Sequence, residues 1–219
     1  MKKFLPFLGT ILLCSTTMTF INCNKNVAEP DPQTWNYSTF TDTRDGKTYK
    51  YIRIGNKDWM AENLAYETVN GYWEAGGSPQ FGAKYGRLYT WDAAKEAVPS
   101  GWHLPSDSEW KELEIIAGMS QNDADNIEFR GTNEGSKLKS ISGWSENGNG
   151  TDNFGFCALP GGYRSNSGTF FVVIWYGYWW TSTDINSSAW YRMTNYYSSS
   201  VNRNLSFKGD GYSVRCVRD

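Results

Sequence analysis

The sequence is poor in the groups from which most catalytic and metal centres are built. His103 is the one histidine among 219 residues, so a zinc site needing two or three imidazoles is excluded, and a Ser-His-Asp machine would have to run through that residue. Between Trp102 and Leu104 it reads as a packing or hydrogen-bonding side chain rather than a catalyst. No basic stretch extends beyond Lys2-Lys3 and the net charge is −2, so there is no electrostatic footprint for DNA or RNA, and nucleic acid is discounted as a partner. There are no repeats of solenoid or propeller period. Past the first residues no apolar run is long enough for a membrane helix.

What is present is aromatic: 11 Trp, 14 Tyr and 11 Phe make up 16% of the chain. With 39% hydrophobic and 20% charged residues, the composition predicts one folded domain. The aromatic excess fits either a broad contact surface or internal stacking.

Met1-Lys2-Lys3 and the apolar run Phe4 to Leu13 form a short positive region and a hydrophobic region too brief to span a bilayer, the pattern of an export signal. Phe20-Ile21-Asn22-Cys23 resembles a bacterial lipoprotein cleavage site, with Cys23 lipidated. Cys14 is the rival position, and a cleaved, unlipidated secretory peptide the plainer reading. The expected layout is a signal peptide over 1–22, a lipidated cysteine and flexible tether over 23–36, and a folded domain over 37–219. The destination expected is export and lipid anchoring at the outer membrane or cell surface. Cys157 and Cys216 remain in the exported part. An oxidising compartment favours pairing them, which would close a loop of about 60 residues for roughly 3–5 kcal/mol. The alternative, a reactive thiol, lacks an activating cluster.

Thr41 to Met60 alternates around Asp45-Gly46 and Asn56-Lys57, predicting a run of short antiparallel strands. Thr90 to Ala97 predicts a short helix. Pro105 to Gly118 predicts a second, with Ser106 as N-cap, Glu109 at the capping-box position, and Trp110, Leu113, Ile116 and Ala117 on one side. After Ser142 glycine punctuates aromatic and polar segments throughout, and no further helix is expected. The fold class expected is α+β, with two early helices and a long, loop-rich antiparallel β region.

Four strings carry a family likeness: Trp59-Met60-Ala61-Glu62-Asn63-Leu64, Gly101-Trp102-His103-Leu104-Pro105-Ser106, Gly155-Phe156-Cys157-Ala158-Leu159-Pro160-Gly161-Gly162-Tyr163-Arg164, and Ser213-Val214-Arg215-Cys216-Val217-Arg218-Asp219. With Tyr178-Trp179-Trp180-Thr181-Ser182-Thr183 between the last two, they resemble the Fibrobacter succinogenes major paralogous domain over about residues 37–219. The resemblance implies a C-type lectin-like fold, a surface or secreted lipoprotein, and no established catalysis. In the strings themselves, Trp102 and Leu104 are expected beneath the second helix. The closing strand is expected to turn Val214, Cys216 and Val217 inward and Arg215 and Arg218 outward.

The sugar-binding motifs of calcium-dependent lectins, Glu-Pro-Asn or Gln-Pro-Asp with Trp-Asn-Asp, are missing from the folded region. No cofactor is therefore called for. Glu146 to Asn153 has oxygens enough for a calcium ion but misses the EF-hand spacing, so ordinary turns are the other reading. Related formylglycine-generating enzymes need a close cysteine pair, which Cys157 and Cys216 are not in sequence. A polysaccharide-acting enzyme would need two facing carboxylates, such as Asp152 and Asp184, and nothing singles that pair out from turn acids. The chain is read as a non-enzyme.

Residues 184–206 are rich in Tyr, Ser and Asn, the chemistry of antibody loops, against a plain reading as solvated strands and turns. Phe170 to Tyr176 is an apolar run, either a buried strand or an exposed contact patch. This tail also resembles the variable regions of lectin-fold proteins diversified by retroelements. The contact residues expected are Trp175, Tyr176, Trp190, Tyr191, Tyr196 and Tyr197, with Arg192 and Arg203 as polar anchors to carboxylates. The ligand is a glycan or a protein. A structural or adhesive surface component without a specific ligand is the alternative.

Overall fold

Two glycine turns set the first sheet. In the computed structural model, which describes residues 35–219, Gly46 (φ 76°) and Gly55 (φ 61°) take the left-handed conformation that reverses the chain at low cost. Strands β1 (Ser38–Thr41), β2 (Thr48–Ile54) and β3 (Lys57–Met60) follow as antiparallel neighbours, as their alternation predicted. A short pair, β4 (Tyr72–Glu74) and β5 (Arg87–Tyr89), encloses α1 (Pro79–Tyr85). Then come α2 (Trp91–Ala97), α3 (Asp107–Ile116), α4 (Gln121–Asp125), β6 (Glu128–Arg130) and α5 (Glu134–Leu138).

The late region is strand and turn, as expected: β7 (Tyr163–Arg164) pairs with β8 (Phe170–Phe171), and β9 (Tyr176–Ile185), β10 (Ser188–Asn195) and β11 (Val201–Phe207) form a meander. β12 (Val217–Arg218) returns to β3, giving one sheet ordered β1-β2-β3-β12; the other is ordered β6-β11-β10-β9. The class is α+β, but with five short α-helices among the described residues rather than two. The three that the sequence hid, α1, α4 and α5, run five to seven residues, too short to show a helical period and held by tertiary contacts.

The second predicted helix is capped as read, and Thr90, expected inside the first, is its N-cap. The Ser106 hydroxyl accepts from the Glu109 amide while the Glu109 carboxylate accepts from the Ser106 amide. Ile116, however, is exposed and Glu114 is fully buried. Trp102 and Leu104 pack with α2 and the first sheet, not under α3. Trp102 meets Phe40 at 4.6 Å and Tyr51 at 5.5 Å.

Period two divides the core. Trp179 and Trp180, adjacent on β9, point to opposite faces. Trp180 joins Tyr49, Met60, Tyr89, Trp91 and Tyr212; Trp179 joins Trp59, Trp110, Leu113 and Phe156. In the second cluster Trp59 meets Trp110 edge-on at 5.4 Å, and Phe156 meets Trp110 at 5.6 Å.

The second sheet is tied to α3 by buried charge. Asp107 of α3 accepts from Arg192 and Arg203, each at 2.8 Å. Glu114, about two helical turns further on, accepts from Arg192 Nε at 2.7 Å and Arg130 Nη2 at 2.6 Å. Burial alone would raise the Asp107 carboxyl; the bonds and charges of Arg203 and Arg192 outweigh it and hold it well below the ordinary carboxylate range.

Arg215, expected outside, is fully buried. It donates to the carbonyls of Met60 (3.0 Å), Phe156 and Cys157 (3.0 Å) and to Asn63 Oδ1 (3.0 Å from Nη2). This also corrects the expected disulfide. The side chain that reaches the Cys157 backbone is that of Arg215, and alternation turns Cys216 away into the Trp180 cluster. Cys157 and Cys216 are free thiols, and burial pushes both up.

Two outcomes follow. Glu114→Ala leaves two buried guanidinium groups short of their carboxylate and lowers the free energy of unfolding by about 3–5 kcal/mol, while Lys111→Ala stays within about 0.5 kcal/mol; urea unfolding measures both. Dithiothreitol leaves the thermal midpoint unchanged, whereas a bridge of this span would shift it by many degrees.

Candidate ligand-binding face

Strand pairing decides which side chains of the second sheet meet. Register sets Tyr191 beside Trp180 and Asn204, and Met193 beside Tyr178, Asn202 and, through β11, Phe129. Asn195 lies beside Tyr176. Arg192 lies beside Trp179 and Arg203 on the opposite face, as does Trp190 beside Leu205. Paired residues share a face, so the tyrosines and asparagines occupy one side and the arginines the other.

On the tyrosine side the rings form a continuous belt. Phe171 stacks on Tyr163 at 5.0 Å, Tyr163 meets Tyr178 at 5.0 Å, and Tyr178 stacks on Tyr176 at 6.1 Å. Tyr176 meets Tyr197 edge-on at 6.2 Å, Tyr197 meets Tyr196 at 5.0 Å, and Tyr196 meets Trp175 at 4.8 Å. Tyr191 and Tyr212 lie behind Tyr178, at 5.7 and 5.0 Å from it. Exposure grades along the belt from Tyr197, 63% open, to Tyr212, 4%.

A strained turn holds one end. Val172 (φ 53°) and Ile174 (φ 67°) are β-branched residues at positive φ, which costs on the order of 1–3 kcal/mol each and persists only where the surroundings enforce it. Here they do: the Ile174 amide donates to Pro160 O, the Ser145 amide to Ile174 O, and the Tyr196 amide to Trp175 O, all at 2.9 Å. The run Phe170 to Tyr176 is therefore neither a buried strand nor a free patch. It is a pinned turn that sets Trp175 against Tyr196.

Of the expected contact residues, Trp175, Tyr176, Tyr191, Tyr196 and Tyr197 are brought together. Trp190, Arg192 and Arg203 are not. Arg192 is spent on Asp107 and Glu114; Arg203 is spent on Asp107 and covers the Trp190 ring at 3.7 Å. A charged side chain in a Tyr/Ser/Asn-rich tail reads as surface because buried arginine is rare, and here three helical and strand partners make it the exception. Tyr163, Phe171, Tyr178 and Tyr212 were missed. The Tyr176-Gly177-Tyr178 alternation signalled Tyr178; nothing local signals the other three, which arrive from separate segments.

The belt's phenols are neutral donors. The Tyr197 hydroxyl beside it, with burial, pushes Tyr176 up to about 12, and burial raises Tyr163, Tyr178 and Tyr191. Beneath Tyr196 and Tyr197, Lys139 is buried with its ammonium donating to Asn195 O (2.9 Å) and Ser198 O (3.2 Å). It fixes the 195–200 turn without an acid, and burial pushes it down to about 8. The unfolded chain keeps that proton to about pH 10, so this residue's penalty on the fold shrinks as pH rises from 8. Relative to Lys139→Met, the unaltered protein gains stability between about pH 8 and 9.5, as urea unfolding across that range reads out.

The other candidates lie apart from the belt. Asp152 is buried, accepts from the Cys157 amide at 2.8 Å, and is pushed up to about 6 by burial. Asp184 is exposed and paired with Lys208. In the oxygen-rich loop, Asn149 Oδ1 accepts from the Trp144 amide at 3.0 Å, so two of its oxygens already serve the backbone. His103 bonds Glu109 at 2.7 Å, as a structural histidine would. An open recess of about 480 Å³ lies beside it, lined by Val98, Pro99, Trp102 and Ser182 among others. The belt itself is a surface, not a pocket. Cys23 and Cys14, with the signal peptide and most of the tether, lie outside the described residues.

The family model described as the Fibrobacter succinogenes major domain matches residues 52–218. The chain belongs to that family. No curated protein and no solved structure matches it. Within this Fibrobacter succinogenes major domain, three of the strings that carry the likeness meet at one point: Asn63 Oδ1 accepts from Trp179 Nε1 (3.0 Å) and Arg215, while Asn63 Nδ2 donates to Tyr85 O (2.8 Å).

Proposed function

We propose that the chain is a non-catalytic ligand-binding module whose contact surface is the belt running from Phe171 to Tyr197. The observation that carries this is the gathering of rings from β7, β8, β9, β10 and two connecting turns onto one partly open face. Tyrosine gives wide contact area at low entropic cost, and a surface without a cavity suits an extended glycan or a protein rather than a small substrate. In the same reading the fold is C-type lectin-like, the chain is exported and anchored through Cys23 at the outer membrane or cell surface, and the belt is the face a diversifying process would vary.

The test is a glycan and host-protein binding screen on the full chain, beside a variant with Tyr176→Ala and Tyr197→Ala. These rings lie at the open end, so the variant keeps its thermal midpoint within a few degrees. Loss of binding supports the module; undiminished binding by the folded variant moves the function to a structural or adhesive coat.

A further inference from the structure

We infer that the belt takes an uncharged, hydroxyl-rich chain, a neutral oligosaccharide, in preference to an acidic polymer or a protein; this rests on the belt being the contact surface. The first reason is electrostatic. Both arginines of β10 and β11 are on the far face and consumed by Asp107 and Glu114, so these strands offer no guanidinium to grip a carboxylate or sulfate, and Arg164 of β7 is laid over the Trp73 ring at 3.9 Å. The acid beside it is answered too: Asp210 accepts from the Asn166 amide at 2.9 Å and the Ser206 hydroxyl at 2.6 Å.

The second reason is unspent neutral hydrogen-bonding capacity. Tyr212 donates to Ser206 Oγ at 2.9 Å, but the hydroxyls of Tyr163, Tyr178 and Tyr191 have no partner among the described residues. On the same side of the sheet, Asn195 Nδ2 and Asn202 Oδ1 are unpartnered although both residues are more than nine-tenths buried. The two amide atoms are enclosed by the fold; the three phenol hydroxyls are the capacity that a polyol, with donors and acceptors of its own, can meet. Its C–H faces suit rings. A protein ligand of ordinary composition would bring charges that this face cannot answer.

The experiment is calorimetric titration of the full chain with cellohexaose, xylohexaose, mannohexaose and laminarihexaose, and with hexagalacturonate and a heparin hexasaccharide, in low and high salt. The expected result is binding of at least one neutral hexasaccharide, unchanged by salt. Tyr178→Phe and Tyr191→Phe, which keep every ring contact, should each weaken it about tenfold, the worth of one well-placed hydrogen bond. Binding only of the acidic sugars with steep salt loss, only of a protein in the wider screen, or of nothing at all overturns the inference. If that acidic-sugar or protein binding still disappears in the Tyr176→Ala, Tyr197→Ala variant, the belt remains the contact surface and its ligand class alone was misassigned.

Discussion

Arg192 and Arg203 face each other across β10 and β11, and like charges directly opposite in a sheet repel. The meander can close only because Asp107 sits between them, accepting from both. Glu114 extends the arrangement to Arg130 of β6, the outermost strand of the same sheet. One helix therefore docks against three strands through charge and against the fourth, β9, through the packing of Trp110 and Leu113 with Trp179. Such a network is a poor source of net stability, since desolvation offsets most of the attraction. What it fixes is orientation, because a half-formed network would leave guanidinium groups buried alone.

That orientation has a consequence for the other face. With α3 covering the arginine side, the tyrosine side of β9 and β10 is covered only in part, by the 160–163 and 211–214 segments that bring Tyr163 and Tyr212. The strained turn at Val172 and Ile174 sets Trp175 against Tyr196, and the Lys139 ammonium ties down the 195–200 turn that carries it. Rings on this surface are thus held by backbone anchored elsewhere.

Local chemistry made part of this legible. The Ser106–Glu109 cap, the glycine turns at 46 and 55 and the absence of helices after Ser142 follow from short-range rules and appear as read. The family strings carried the frame as well, because Asn63, Trp179 and Arg215 are the residues that join it. What failed were inferences from averages. Arginine is usually solvated and exported cysteines are usually paired, yet Arg192, Arg203 and Arg215 are buried and the two thiols are free. Each misreading has the same origin: the partners, Asp107, Glu114 and Asn63, lie 78 to 152 residues away, where no local pattern reports them. The belt was half legible for the complementary reason, since its β9 and β10 members alternate visibly while Tyr163 and Phe171 join through a two-residue pairing.

Alternation on β9 to β11 finally separates two jobs that the same residues could not do together. Arg192, Arg203 and Trp179 face α3 and its charge network; Tyr176, Tyr178, Tyr191 and Asn204 face the other way, where Trp180 is core and the rings around it form the proposed contact surface. Replacing an inward residue strands a buried charge or an aromatic cluster, at several kcal/mol. Replacing an exposed ring at the Tyr197 end costs little, because that ring buries little and no hydrogen-bond network runs through it. A surface can change freely only where the fold does not depend on it, and on this face that holds for the open rings at the Tyr197 end and not for Trp180, Met193, Asn195 and Asn202, which are buried.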